Sequence, residues 1–231
     1  METMQHNPPE LEWQAGDVPV STRFDDPYFS AENGLAETDH VFLAGNDLPA
    51  RFCDGFHIGE LGFGTGLGFL TTVQAWLDSG TQGHLHFTSF EGFPMTADEM
   101  SRALSAFPEL SDLAAPLVEQ WATKTQPIQY APNITLEVVM GDARETLPVW
   151  TGQADAWFLD GFSPAKNPEL WNPELMQAVA DHTAPDGTAA TYTAAGFVRR
   201  GLTDAGFGVE RIAGYGRKRH MTVATLGAPP K

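Results

Sequence analysis

Glycine at every second position of the segment 62–68 is the feature that most constrains this chain. The segment follows a short apolar stretch, 56–61, and Glu60 stands two residues before the first glycine. Glycine accepts backbone conformations that other residues avoid, and it lets a ligand approach the main chain closely. Because so many glycines cost conformational entropy, the run indicates a ligand-binding turn rather than an ordinary one. We therefore predict a strand at 56–61, a glycine-rich loop, and a helix over 66–79.

The spacing of this loop separates two kinds of cofactor. Dinucleotide-binding folds use G-x-G-x-x-G and place a pyrophosphate on the helix N-terminus. Here the spacing is E-x-G-x-G-x-G, and the Glu60 carboxylate would repel a pyrophosphate. It suits the cationic amino-acid end of S-adenosylmethionine, which we predict as the cofactor. The predicted contacts in the loop are Glu60, Gly62, Phe63, Gly64, Thr65 and Gly66.

Strands and helices alternate along most of the remaining chain. Further strands are predicted at 84–90, 134–140, 154–159, 188–193, 208–213 and 220–226, with helices over 172–183 and 195–205. Alternation of this kind predicts a mostly parallel sheet with helices on both faces. The last two strands are joined only by the loop 214–219, which is short enough for a hairpin. An antiparallel terminal hairpin on such a sheet predicts the α/β, Rossmann-like fold of class I S-adenosylmethionine-dependent methyltransferases.

The chain divides into two predicted parts. Residues 1–52 form a small N-terminal cover, with short strands at 18–21 and 40–43. Residues 53–231 form the methyltransferase domain, with a helical insertion near 96–123. Within the cover, the aromatic and acidic segment 24–30 is expected to pack on the main sheet. The alternative is that this segment lines the mouth of an active site.

Acidic residues end the first four predicted core strands: Glu60, Glu91, Asp142 and Asp160. In open α/β sheets the ligand binds beyond the carboxyl ends of the strands. Glu91 is placed to accept hydrogen bonds from both ribose hydroxyls, and Asp142 from an adenine amine. Asp160 stands where methyl transfer occurs in this fold, and its carboxylate can hold an amine and accept its proton. Nearby, Phe162 and Trp171 are candidates for stacking on a flat base, with core packing as the alternative.

Charge and composition limit the function further. The net charge of −17 argues against general affinity for polyanions. Six of the 13 basic residues nevertheless lie between positions 199 and 219, where a local patch can bind nucleic acid with strong salt dependence.

Other features bear on the compartment and on metals. The single cysteine, Cys53, is expected to be a buried thiol and fits a reducing compartment. Residues 1–9 show no secretory signal and no apolar run has the length of a membrane span, so we expect a cytoplasmic protein without membrane association. His84 and His86 alternate without further ligands, and no metal site is predicted.

Two segments, 60–67 and 158–168, closely resemble the methyltransferase domain of the MnmC family, the tRNA 5-methylaminomethyl-2-thiouridine biosynthesis proteins, whose stand-alone form is called MnmD. The segments 25–43, 195–202 and 214–219 carry the resemblance further. The resemblance implies methylation of 5-aminomethyl-(2-thio)uridine to 5-methylaminomethyl-(2-thio)uridine at the tRNA wobble position. It also implies tRNA as the partner, and a flavin-dependent oxidase as a further domain or separate protein.

The resemblance also implies roles for individual residues. Asp160 is the catalytic carboxylate by analogy, in agreement with its position after the fourth core strand. The substrate-binding candidates are Phe162, Lys166, Arg199, Arg200, Arg217, Lys218 and Arg219. Three alternatives stay open: a class I transferase acting on a small polyamine-type amine, a non-catalytic tRNA-binding protein on a degenerate fold, and a nicotinamide dehydrogenase. The basic C-terminal cluster and the match at 160–168 argue against the first. The intact glycine loop and Asp160 argue against the second, and Glu60 with the terminal hairpin argues against the third.

Overall fold

The computed structural model describes residues 8–30 and 32–229. The expectation about a secretory signal rests mainly on residues 1–7, which lie outside the described residues. Within the described ranges, no helix is long and apolar enough to cross a bilayer.

The strands are β1 (Leu11–Gln14), β2 (Val18–Ser21), β3 (Asp26–Pro27), β4 (Phe56–Leu61), β5 (Leu85–Glu91), β6 (Ile128–Ala131), β7 (Ile134–Met140), β8 (Ala154–Leu159), β9 (Thr183–Thr191), β10 (Phe207–Ala213) and β11 (His220–Leu226). The α-helices are α1 (Gly34–Thr38), α2 (Leu67–Ser79), α3 (Ala97–Leu104), α4 (Ser111–Ala122), α5 (Ala143–Thr146), α6 (Pro173–Asp181) and α7 (Gly196–Asp204). A π-helical turn, Asp39–Leu43, continues α1, and short 3-10 turns occupy Ala44–Asn46, Pro108–Leu110, Leu147–Val149 and Pro168–Trp171.

The central sheet has eight strands in the order β10-β11-β9-β8-β4-β5-β7-β6. The strands from β9 to β7 pair in parallel, whereas β11, β10 and β6 pair antiparallel to their neighbours. This arrangement confirms the predicted class I methyltransferase fold with its terminal hairpin. The chain runs from β4 to one side of the sheet and returns through β8 to the other. The boundary between β4 and β8 is therefore the switch point at which α/β sheets bind ligands.

Both faces of the sheet are covered by apolar packing. Trp157 and Phe158 are consecutive residues of β8 and are both fully buried, in two separate apolar clusters. Consecutive strand residues point to opposite faces. Strand β8 consequently reads as a largely apolar run, which made it recognisable in the sequence.

Three local predictions differ from the structure. Residues 40–43 were expected to be a strand but form the π-helical turn after α1, which begins where the Asn33 side chain accepts a hydrogen bond from the Ala36 amide. A short apolar run has no periodicity that separates strand from helix, and here Val41, Phe42 and Leu43 are all buried. Strands β1, β3 and β6 were not predicted. Cys53 is exposed instead of buried.

The helical insertion near 96–123 holds the glycine loop. Helices α3 and α4 occupy it, and Trp121 near the end of α4 stacks on Phe63 with ring centroids 5.1 Å apart. The Trp121 indole also donates a hydrogen bond to the Met95 carbonyl at 2.9 Å. The residues that follow β5 are thereby tied to the loop that follows β4. The division at residue 52 stays a prediction.

Candidate active site

A cavity of about 700 Å³ opens beyond the carboxyl ends of β4, β5, β7 and β8. The four strand-end acids, Glu60, Glu91, Asp142 and Asp160, all line it. Parallel strands end at one edge of a sheet, so residues spread over a hundred positions of sequence meet in one place. A volume of this size is in the usual range for cofactor and substrate pockets.

The glycine loop forms one wall of the cavity. Gly62 has a φ of +85°, a left-handed conformation that side chains disfavour, and a Cβ there would lie 3.3 Å from the Cα of Gly161. Gly68 lies in the first turn of α2, and a Cβ would lie 2.4 Å from the Glu60 Oε1. A side chain at position 68 would therefore displace the Glu60 carboxylate beneath the helix. Phe63, Gly64 and Thr65 also line the cavity, whereas Gly66 does not.

Glu60 is buried, and its carboxylate accepts a hydrogen bond from the Ser89 hydroxyl at 2.7 Å. Removal from water raises the pKa of Glu60 well above its usual value. The Ser89 hydrogen bond opposes this shift, while the charges of Asp160 and Glu91 add to it. A bound cation would stabilise the ionised form of Glu60.

Glu91 connects the second core strand to the glycine loop. Its Oε2 accepts a hydrogen bond from the Gly64 amide at 2.8 Å, and its Oε1 accepts one from the Phe93 amide at 2.6 Å. Burial raises the pKa of Glu91, and the backbone hydrogen bonds oppose the shift. The carboxylate therefore fixes the loop as well as facing the cavity.

The Asp142 carboxylate is hydrogen-bonded to Arg144, a residue that the sequence did not single out. Its carboxylate accepts the Arg144 backbone amide at 2.9 Å, capping α5, and the Arg144 Nε at 3.0 Å. The Arg144 hydrogen bond lowers the pKa of Asp142. Arg144 also lies 3.5 Å from the Glu169 carboxylate. The role of Asp142 toward an adenine amine stays a prediction.

Asp160 follows β8 and is the residue whose ionisation is poised near neutrality. Burial raises the pKa of Asp160 to about 7, against the backbone hydrogen bond from Gly161. Lys218 lowers the pKa, whereas the charge of Glu37 raises it. The Tyr192 hydroxyl donates a hydrogen bond to the Gly161 carbonyl at 2.8 Å and so supports the turn that carries Asp160.

An aromatic wall faces the acidic strand ends. Phe162 stacks on Phe24 with ring centroids 4.6 Å apart and meets Tyr28 edge to face at 5.0 Å. All three residues line the cavity. Trp171 is different: it is buried, and its indole donates a hydrogen bond to the Phe162 carbonyl at 2.9 Å. The substrate contact considered for Trp171 is therefore wrong, because this side chain belongs to the core.

The basic candidates are divided between the cavity rim and the surface. Arg217 lines the cavity and pairs with Glu32 at 2.7 Å. Lys218 also lines it and pairs with Glu37 at 2.7 Å. The basic candidates outside the cavity lining are Lys166, which pairs with Asp25 at 2.8 Å, and Arg199, Arg200 and Arg219. Their contacts with tRNA stay predictions.

Several lining residues were missed in the sequence. A place for the segment 24–30 at the mouth of the active site was considered only as an alternative, yet Phe24 and Tyr28 line the wall of the cavity. Tyr192 directly follows β9, so the strand-end rule that selected the four acids would have found it. Arg144 and Glu37 carry no comparable signal, since each lies in a helix whose orientation depends on packing.

Comparisons with known proteins agree with this geometry. A family model described as S-adenosyl-L-methionine-dependent methyltransferase matches residues 108–227. The bifunctional tRNA 5-methylaminomethyl-2-thiouridine biosynthesis protein MnmC of Aeromonas hydrophila is 47% identical over 227 residues, which cover 91% of this chain and 34% of that protein. MnmC of Pseudomonas paraeruginosa is 44% identical over 240 residues, covering 100% of this chain and 36% of its own length. The chain thus spans about a third of the length of the curated relatives it matches.

Solved structures share the fold. The crystal structure of MNMC2 from Aquifex aeolicus superposes with a TM-score of 0.76 at 26% identity, covering 99% of this chain and 73% of that one. A precorrin-6y C5,15-methyltransferase from Geobacter metallireducens superposes with a TM-score of 0.51 at 13% identity, covering 93% and 95% of the two chains. The second likeness shows the fold alone. The resemblance found in the sequence is confirmed by these comparisons.

Proposed function

Since this chain belongs to the family of S-adenosyl-L-methionine-dependent methyltransferases, we propose that it methylates the wobble uridine of tRNA. The acceptor is the aminomethyl nitrogen of 5-aminomethyl-(2-thio)uridine, and the product is 5-methylaminomethyl-(2-thio)uridine. Support comes from relatives at 44–47% identity whose names contain this product.

The proposal rests mainly on the position and ionisation of Asp160. It stands between the glycine loop and the aromatic wall, and its pKa of about 7 lies near the physiological pH. An alkylamine has a pKa near 10, so the acceptor arrives mostly as an ammonium ion that lacks the lone pair needed for attack. The ionised Asp160 holds that ammonium group and accepts a proton from its nitrogen. Positioning of the nitrogen in the cavity supplies much of the remaining acceleration.

The residues around the loop fit S-adenosylmethionine. A left-handed glycine such as Gly62 keeps the main chain open to a ligand, and the buried carboxyl of Glu60 gains from a cationic neighbour. In this proposal the cofactor contacts are the cavity-lining residues Glu60, Gly62, Phe63, Gly64, Thr65, Glu91 and Asp142. When bound, S-adenosylmethionine supplies an electrophilic methyl group on a positively charged sulfur.

The aromatic wall binds the acceptor base. Phe162 faces the cavity and its ring is held by stacking on Phe24. A pyrimidine ring can stack against such rings, and single-stranded anticodon bases are accessible for this. The acidic strand ends favour an aminomethyl group over an anionic one.

The relatives are named bifunctional and are about three times as long as this chain. We expect a flavin-dependent oxidase, as a further domain or a separate protein, to generate the aminomethyl group. A cytoplasmic location follows from the tRNA substrate.

The first experiment is methyl transfer from labelled S-adenosylmethionine to three acceptors. These are tRNA carrying 5-aminomethyluridine, the same tRNA unmodified, and spermidine-type amines. We expect label only on the wobble uridine of the modified tRNA. Label on small amines, or on unmodified tRNA, would overturn the assignment and favour a different acceptor.

A further inference from the structure

A second hollow of about 290 Å³ adjoins the active-site cavity. Arg23, Phe24 and Tyr28 line both spaces. Phe93, which follows β5, also lines both spaces. The two spaces are therefore neighbours that share one aromatic partition.

Arg23 differs from the other cations of the active-site cavity. Arg144, Arg217 and Lys218 each pair with a carboxylate at 2.5–2.7 Å. Arg23 has no carboxylate within 4.0 Å in the part of the chain that the structure describes. Its guanidinium instead lies over two rings, 4.7 Å from the centroid of Phe93 and 5.5 Å from that of Phe24. Arg23 is exposed, so its charge is available to a ligand.

Aromatic rings connect the hollow to the methyl-transfer site. Phe162, two residues after Asp160, stacks on Phe24 at 4.6 Å, and Phe24 meets Phe93 edge to face at 5.8 Å. A strand of nucleotides can follow such a strip, because each base has a face that stacks on an aromatic ring. An arginine held beside the rings can pair with the phosphate of the backbone.

We propose that the second hollow binds the nucleotide adjacent to the methylated uridine. Its phosphate pairs with Arg23 and its base packs on Phe24 and Phe93. The inference rests on the proposed function and adds the part of the anticodon that the enzyme contacts outside the catalytic cavity. The Glu10 carboxylate, which also lines the hollow, accepts a hydrogen bond from the Thr22 hydroxyl at 3.4 Å.

Neutral phosphate analogues test this subsite. Three anticodon-loop oligonucleotides carry 5-aminomethyluridine: one natural, one with a methylphosphonate on the 5′ side of that nucleotide, and one with it on the 3′ side. Methyl transfer is measured with the wild-type protein, with Arg23→Gln, and with Arg102→Gln as the matched control. Arg102 also lies over a ring, that of Trp13 at 4.1 Å, but pairs with Asp17 and lines neither space.

We expect one of the two methylphosphonates to lower kcat/KM of the wild-type protein about tenfold, the loss expected for one charge-assisted hydrogen bond. The same methylphosphonate should lower kcat/KM of the Arg23→Gln variant by no more than about twofold, because the partner of the phosphate is already missing. Arg102→Gln should behave as the wild type.

Two results would overturn the subsite: an equal methylphosphonate penalty in the wild type and Arg23→Gln, or no penalty in the wild type at either position. Failure of the wild-type protein to methylate the natural oligonucleotide and the full modified tRNA would instead overturn the proposed function. The two failures are thus separate.

Discussion

The Lys218 ammonium lies 2.7 Å from the Glu37 carboxylate, joining the loop of the β10–β11 hairpin to α1 at the rim of the cavity. The same ammonium lies 4.3 Å from the centroid of the Tyr192 ring. This lysine was predicted to contact tRNA, and in the structure its exposed side chain is held at the rim of the cavity by an acid and an aromatic ring. Both members of the pair act electrostatically on Asp160.

Opposite shifts of the pH profile should follow from breaking this pair. Lys218 lowers the pKa of Asp160 and Glu37 raises it. Lys218→Met should move the acidic inflection of kcat to higher pH, and Glu37→Gln should move it to lower pH. Rates measured between pH 5.5 and 9 under saturating substrate test this, with Arg217→Gln as a control that breaks the neighbouring ion pair. Shifts in the same direction for both variants would contradict the electrostatic role.

Asp160→Asn should slow methyl transfer by about 10²–10⁴-fold, the usual contribution of a general base. The wild-type rate should rise through pH 7, where Asp160 ionises, and the variant should lose that inflection. Binding of S-adenosylmethionine, measured by calorimetry, should change little. Asp186→Asn, at an exposed position within β9, is the control. An unchanged rate in Asp160→Asn would remove this residue from the mechanism.

Glu91→Gln should weaken S-adenosylmethionine binding about tenfold, as expected when a charged hydrogen-bond acceptor is lost. The amide keeps the size of the side chain and one oxygen for the Gly64 or Phe93 amide, so the loop should stay folded. Calorimetric titration gives the Kd, and the melting temperature reports on the loop. A Kd equal to that of the wild type would count against contact between Glu91 and the ribose.

Gly68→Ala should destabilise the protein, although alanine ordinarily stabilises a helix relative to glycine by about 1 kcal/mol. The added Cβ would meet the Glu60 Oε1 at 2.4 Å and displace that carboxylate. In a Glu60→Ala background the collision is absent, so the same substitution should be neutral or stabilising. Thermal melts of the four proteins test the coupling. Equal effects in both backgrounds would show that Glu60 is not the obstacle.

His57 should make the protein sensitive to mild acid. Burial lowers the pKa of His57 to about 4, and the charge of His86 lowers it further. The unfolded chain therefore binds a proton at higher pH than the folded one. The contribution of His57 to the free energy of unfolding is complete above pH 6.5. About 1.4 kcal/mol of it is lost per pH unit as the pH falls toward 4.

The comparison of His57→Gln with the wild type isolates this effect. Glutamine can retain the hydrogen bond to the Thr88 hydroxyl, which is 2.8 Å from the His57 Nε2. Urea unfolding between pH 4.5 and 8 should show a shallower loss of stability in His57→Gln, and the exposed His84→Gln should match the wild type. Parallel pH dependence in wild type and His57→Gln would exclude His57 as the sensitive group.

The sheet was largely predictable from the sequence. The parallel strands β4, β5 and β8 are almost wholly buried, β7 is partly buried, and each of the four has an acid at or within two residues of its carboxyl end. The same regularity placed Glu60, Glu91, Asp142 and Asp160 at one site, since parallel strands share an edge. The edge strand β6 was missed because it is short and only partly buried.

The mouth of the site was not predictable in this way. The ion pair between Lys218 and Glu37 joins residues 181 positions apart, and the Ser163 amide donates to the Asp26 carboxylate across 137 positions at 2.8 Å. Neither contact follows from periodicity or local spacing. The segment 24–30 consequently faces the cavity because of where packing places it.

The sequence by itself determined the alternation of strands and helices, the glycine loop and the acids at the strand ends, because backbone conformation and apolar periodicity are local properties. Only the tertiary structure decided which charges face Asp160, that Trp171 is core, and that Arg23 lies beside two rings with no carboxylate partner among the described residues. Those properties depend on distances between side chains from separate elements, and such distances are fixed by the packing of the whole chain.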